Sequence, residues 1–155
     1  MSDFIEFEQL QPQHYVKISG KYMDREAVFL AVELVLEPSD GEDKYEALLQ
    51  EVQAEQRTIK ILGQTLRIPE RLKIQNLDEQ EVGMDRLKKG TMVKIKGSYD
   101  PGAGFKPDKI KIKETKEFNI EELQGKVLRV DRATKQLVVN GVPVRVNQKS
   151  ILLKA

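Results

Sequence analysis

"KVLRVDRATKQLVVNGVPVRV", Lys126–Val146, is the stretch whose reading decides the fold. Apolar and polar residues alternate along it with a period of two, as in strands that bury one face. The alternation breaks near Asp131–Gln136 and again at Asn140-Gly141. The second break signals a two-residue hairpin, because asparagine and glycine both tolerate the positive φ that a tight turn demands. The stretch therefore reads as three strands. Val127, Val130, Leu137, Val139, Val144 and Val146 face inward, with a change of register near Asp131–Gln136. Three strands with this much apolar surface need partners to cover it.

The pattern occurs a second time. Leu48–Ile68, "LLQEVQAEQRTIKILGQTLRI", aligns with Lys126–Val146 without a gap at an offset of 78. Leu49 falls on Val127, Ile59 on Leu137, Ile61 on Val139, Gly63 on Gly141, Leu66 on Val144 and Ile68 on Val146. A shorter echo links Tyr15–Tyr22, "YVKISGKY", to Met92–Tyr99, "MVKIKGSY", at an offset of 77. Each of these is followed by another strand-like run, ending at Glu37 and at Glu114. Such self-similarity marks a duplicated structural unit.

The order of the copies is unusual. The three-strand and two-strand segments follow one another in the middle of the chain and make one complete unit over residues 41–115. At the ends they occur in reverse order, in residues 116–155 and 1–40. The link from Ile74 to Leu87 spans 14 residues, and joining the C-terminus to the N-terminus gives the same length between Leu152 and Leu10. The terminal segments thus read as a circular permutation of the central unit, split between the two ends. Residues 1–40 carry three basic and eight acidic side chains, and residues 115–155 carry eight basic and four acidic. Opposite charges favour pairing of the two halves, modestly at a solvated surface. The halves can close within one chain, or between chains in a head-to-tail ring or filament.

Gly20 and Gly97 interrupt strands, which predicts a bulge or bend at each. The link Asn76–Gly90, "NLDEQEVGMDRLKKG", is the best helix candidate, one or two turns long. The expected fold class is therefore all-β: two OB-like five-stranded barrels, one continuous and one circularly permuted. The strand triplet Leu48–Ile68, followed by the link and by "LKKGTMVKIKGSYDPGAGFKPDKIKIKE" (Leu87–Glu114), resembles the bacterial domain-of-unknown-function family 5666. The central unit resembles the whole pattern and the flanks its two halves, so the resemblance covers nearly the entire chain. It implies small OB-like barrels, often in tandem, and an envelope or periplasmic location if a signal segment has been removed. It brings no catalytic residues.

Composition narrows the chemistry. Hydrophobic residues make up 39% and charged residues 33%, with no cysteine and one histidine, His14. Disulfides, thiolate metal sites and cysteine nucleophiles are excluded. No phosphate-cradling loop, nucleophile elbow or paired-histidine motif occurs, so no catalytic residue, metal or cofactor is expected. No apolar run reaches the roughly 20 residues of a membrane-spanning helix, so membrane insertion is not expected. No signal-peptide pattern is expected in this chain. A net charge of +1 gives the molecule no global pull on nucleic acid.

Two strand faces remain as candidate sites. Alternation places Lys94, Lys96, Lys109, Lys111 and Lys113 on one outer face, a candidate surface for single-stranded nucleic acid or another anionic polymer. Alternation also places Phe29, Ala31 and Val35 on an outer face, a candidate interface for a second copy or another protein. Tyr22 and Tyr99 occupy equivalent positions of inward parity and are expected in the core. The expected function is a non-catalytic binding or assembly module, with nucleic-acid or anionic-polymer binding as the alternative.

Overall fold

The computed structural model describes residues 3–115 and 120–155; the start of the C-terminal segment, residues 116–119, lies outside them. Among the described residues the chain is all β, with two single 3-10 turns and no α-helix. The N-terminal segment supplies β1 (Asp3–Phe4), β2 (Tyr15–Met23) and β3 (Val28–Glu37). The central segment supplies β4 (Asp43–Leu48), β5 (Glu51–Gln53), β6 (Thr58–Ile61), β7 (Gln64–Arg67), β8 (Ile74–Gln75), β9 (Glu81–Val82), β10 (Met92–Asp100) and β11 (Gly104–Ile112). The C-terminal segment supplies β12 (Glu121–Asp131), β13 (Gln136–Val139), β14 (Val142–Arg145) and β15 (Ile151–Lys154).

The two terminal segments close on each other within the chain. β12 pairs with β2 through its first half and with β13 through its second. β13 pairs with β14, β14 with β3 in parallel, and β3 with β2. These five strands form a closed ring of hydrogen bonds. β1 pairs with β15, Asp3 opposite Lys154, so the two ends of the chain lie side by side. The small β8–β9 hairpin repeats that pairing in the central segment, where the chain is continuous. The opposed charges also meet: Lys126 lies 3.1 Å from Asp40, and Lys135 lies 2.5 Å from Glu8.

The central segment repeats the plan but leaves it open. β4 pairs with β10 and β10 with β11, inside the same large mixed sheet as the terminal strands. Beyond Leu49 the chain changes partners, and β5, β6 and β7 form a separate three-stranded sheet. β7 and β11 are the counterparts of β14 and β3, yet no ladder joins them. The expectation of a second complete ring is not met at this seam. Pro107 stands on β11 where β3 has Ala31, and proline has no N–H to give a ladder.

Local chemistry explains the shape. Asn140 and Gly141 both have positive φ, 50° and 79°, as the hairpin signal predicts, and Leu62 and Gly63 repeat it at 50° and 76°. The ladders slip at Ser19/Gly20 and at Lys96/Gly97, so both strand glycines sit at bulges. A Cβ on Gly20 would lie 2.1 Å from the Leu30 carbonyl oxygen, and one on Gly97 2.1 Å from that of Lys106. Neither site has room for a larger residue. A further register shift falls at Val127/Arg129, ahead of the expected Asp131–Gln136. The predicted helix is replaced by the β8–β9 hairpin and a 3-10 turn at Met84–Arg86.

The bulge corrects one reading of β3. The extra residue is Val32, which lies between the Gly20–Ala31 and Ser19–Glu33 pairs. Parity reverses across it: Phe29 and Ala31 point into the core before the bulge and Leu34 after it. The outer face expected from Phe29, Ala31 and Val35 therefore does not form; only Val35 stays on the outside, half-buried. A period-two count cannot anticipate an inserted residue.

One hydrophobic cluster spans both copies. At its centre β4 pairs antiparallel with β12, and Tyr45 lies opposite Leu123. These two residues are equivalents at the offset of 78, so the register has a local two-fold axis running between them. Tyr45 is fully buried and stacks on Phe105, with centroids 4.2 Å apart. Its hydroxyl meets Gln64 Oε1 at 2.9 Å and the Asn140 carbonyl at 3.3 Å. The tyrosines expected in the core, Tyr22 and Tyr99, are partly buried against it. Each also reaches the opposite copy's hairpin, Tyr22 at Gly63 and Tyr99 at Gly141.

Two outcomes test this architecture. Gly97→Ala and Gly20→Ala should each destabilise the protein by about 2–3 kcal/mol through forced backbone displacement. Gly102→Ala, whose Cβ meets nothing closer than 3.8 Å, should stay near neutral in the same thermal melts. A circular permutant opened in the exposed Pro38–Asp40 stretch, with the native ends joined by a short glycine linker, should fold with nearly unchanged unfolding cooperativity. Failure to fold would contradict the pairing of β1 with β15.

Candidate anion-binding face

Residues directly opposite in antiparallel strands project to the same side. On that basis the ladders assemble two rows across the outer face. One row runs Lys109, Lys96, Lys44, Gln124, Lys17 through β11, β10, β4, β12 and β2. The next runs Lys111, Lys94, Glu46, Glu122, Ser19. Inward positions between them are apolar: Ile95, Ile110 and Tyr45 are fully buried. The sequence-derived lysines are thus brought together on one face, with Lys94 opposite Lys111 and Lys96 opposite Lys109. Lys113 continues β11, its N–H donating to the Met92 carbonyl at 2.8 Å.

Lys44 and Lys17 extend the face but are absent from the sequence-derived set. They arrive through the β4–β10 and β2–β12 pairings, which join parts of the chain far apart in sequence. Only the repeat alignment carries a signal for them, since Lys17 is the counterpart of Lys94.

Electrostatics on this face are crowded. Lys94 has its pKa lowered, first by desolvation and then by Lys44 and Lys96. Three carboxylates pair with these lysines: Glu42 with Lys96 at 3.7 Å, Glu79 with Lys111 at 3.2 Å and, from within the face, Glu122 with Lys44 at 3.6 Å. The Glu42 and Glu79 carboxylates are exposed, so these two pairs hold a lysine weakly and yield to salt or to a competing anion, whereas the Lys44–Glu122 pair is half-buried. Among the described residues, Lys94 and Lys109 have no carboxylate within 4 Å.

Other titratable groups have structural positions. The half-buried His14 accepts a hydrogen bond from the Gln11 N–H at Nδ1, closing a turn. Asp43 belongs to β4 and accepts from the Tyr99 N–H and Asn140 Nδ2. Its repeat counterpart Glu121 is buried and accepts from the N–H groups of Tyr22, at 2.7 Å, and Leu48, at 2.9 Å. Desolvation raises the Glu121 pKa, against the lowering effect of these two bonds. Among the described residues no group of three or more acidic or histidine side chains is placed to hold a metal, and no helix is long and apolar enough to cross a membrane.

No family model, curated protein or solved structure matches this chain.

Glu121 gives a pH test. Its folded pKa lies above the unfolded one, so folding favours its protonated form. Its stabilising contribution is therefore present below the ordinary carboxylate value of 4.5 and lost as pH rises through the higher folded value. Urea melts of wild type and Glu121→Gln across this range should show the wild type losing ground to the variant as pH rises. A flat difference would mean that the two backbone N–H groups offset the burial completely.

Proposed function

We propose that the protein is a non-catalytic binding module built of two OB-like units, residues 41–115 and residues 1–40 with 116–155. In this reading it takes an anionic polymer, single-stranded nucleic acid foremost, on its lysine face. The resemblance to family 5666 belongs to the same reading and is compatible with it. The observation that carries it is the direct opposition of Lys94 with Lys111 and of Lys96 with Lys109. Like charges opposite one another weaken a sheet. The fold does not require them: with the two ladders superposed bulge on bulge, which sets β11 against β3 at an offset of 76, the counterparts of Lys94, Lys96, Lys109, Lys111 and Lys113 in the terminal unit are Lys17, Ser19, Glu33, Val35 and Glu37. A cost borne by one copy and absent from the other fits a polyanion that neutralises it. Assembly through β3 has less support, because Phe29 and Ala31 lie in the core.

The test is fluorescence anisotropy of a labelled oligothymidylate over a range of salt. Affinity should fall steeply with salt, and the Lys94→Glu/Lys96→Glu/Lys111→Glu variant should lose about two units of the log–log slope, as expected for three lost contacts to a single strand. Absence of wild-type binding at low salt would overturn the reading.

A further inference from the structure

We propose that the open seam between β7 and β11 is a groove for single-stranded nucleic acid. Phosphates lie on Arg67, Arg71 and Lys106, and a base lies against Tyr99. The inference rests on the function proposed above and locates a second part of the ligand's path.

The terminal copy shows what the seam would be if closed. There Val144 pairs with Phe29 and Arg145 with Leu30, and the Ser150 hydroxyl donates to the Ala31 carbonyl at 2.6 Å. In the central copy the corresponding residues are Leu66 with Phe105 and Arg67 with Lys106, and Leu72 replaces Ser150. Two cations face the seam where one faced leucine, and proline and leucine remove a donor on each side. The result is a cleft of about 770 Å³ with Tyr99 and Phe105 in its wall.

The cleft has the chemistry of a single-strand site. Arg67, Arg71 and Lys106 are exposed, and Asp108 is the one acidic side chain in its lining. Ile68 N–H donates to the Arg57 carbonyl at 2.8 Å, so Leu66 and Ile68 turn their main-chain groups toward β6. Alternation then aims the N–H and C=O groups of Thr65 and Arg67 into the cleft. Aromatic surface, guanidinium groups and free main-chain groups together suit bases and phosphates better than an acidic peptide, which has no ring to stack. An adjoining hollow of about 420 Å³ shares Arg71 and Pro107 and reaches Lys73 and Lys109. Lys109 belongs to the lysine face, so groove and face are continuous.

The experiment is a ¹H–¹⁵N titration of the full chain with hexathymidylate, run in parallel on wild type and on the Lys94→Glu/Lys96→Glu/Lys111→Glu variant. Amide shifts at Thr65, Arg67, Lys106 and Asp108 are expected in wild type. Arg67→Ser/Arg71→Ser/Lys106→Ser, at exposed positions, should keep the melting temperature and weaken binding about tenfold. Shifts confined to the lysine face, with the seam amides silent, would overturn the seam and leave the proposed function standing. Seam shifts that persist in the lysine-face variant, with its affinity and salt slope for the oligothymidylate equal to those of wild type, would support the seam and overturn the face. Equal seam shifts with hexaglutamate would overturn the assignment to nucleic acid.

Discussion

The pairing of β4 with β12 is the constraint on which the rest of the structure depends. Tyr45 and Leu123 face each other on a local two-fold axis, and a single sheet passes through them from one copy to the other. Burying Tyr45 removes its hydroxyl from water, so partners must be supplied inside the protein. They come from both copies: Gln64 on the central hairpin and the carbonyl of Asn140 on the terminal one. Burial pushes the Tyr45 hydroxyl pKa far above its usual value, so it stays a neutral hydrogen-bonding group. Asn140 is buried too, binding Asp43 through Nδ2 and the Lys126 N–H through Oδ1. This polar cluster fixes how the two copies meet, and the apolar core closes around it.

That junction accounts for the order of the segments along the chain. Once β4 and β12 are paired, each copy needs its two-strand segment beside the first half of its three-strand segment. For β4 it is β10, later in the chain; for β12 it is β2, made at the start. The glycine bulges let those strands curve, and a carboxylate from the other strand, the half-buried Asp43 or the buried Glu121, caps the main chain just beyond each bulge. The two copies diverge only where β7 and β14 approach their parallel partners. Closure there depends on a few donors, and Pro107 and Leu72 remove them.

The difference between the two surfaces follows the same division. The terminal copy closes its ring and carries a mixed outer face. The central copy keeps an open seam and gathers lysines on the sheet beside it. Ion pairs to the exposed Glu42 and Glu79, and a half-buried pair of Lys44 with Glu122, balance part of that charge.

Much of the strand plan was legible in the sequence, because it rests on local physics. Period-two alternation defined the strands, Asn140-Gly141 a hairpin, and the strand glycines the bulges. The offsets of 77 and 78 paired distant segments with no knowledge of their contacts. The split between the ends was legible for the same reason: equal link lengths and opposite charges are properties of the chain. The five lysines could be assigned to one face because β10 and β11 are neighbours in sequence. The tertiary structure alone decided the non-local pairing. Val32 and Leu128 each add a residue to one strand and reverse the parity across it, so that Phe29 and Ala31 face inward on one side of Val32 and Leu34 on the other. Lys44 and Lys17 joined the lysine face through strands made elsewhere. The seam between β7 and β11 stayed open for want of donors that matter only when two distant edges meet. Alternation specifies which side of a strand is apolar; which edge meets which, and whether it closes, depends on hydrogen bonds between residues that the sequence keeps apart.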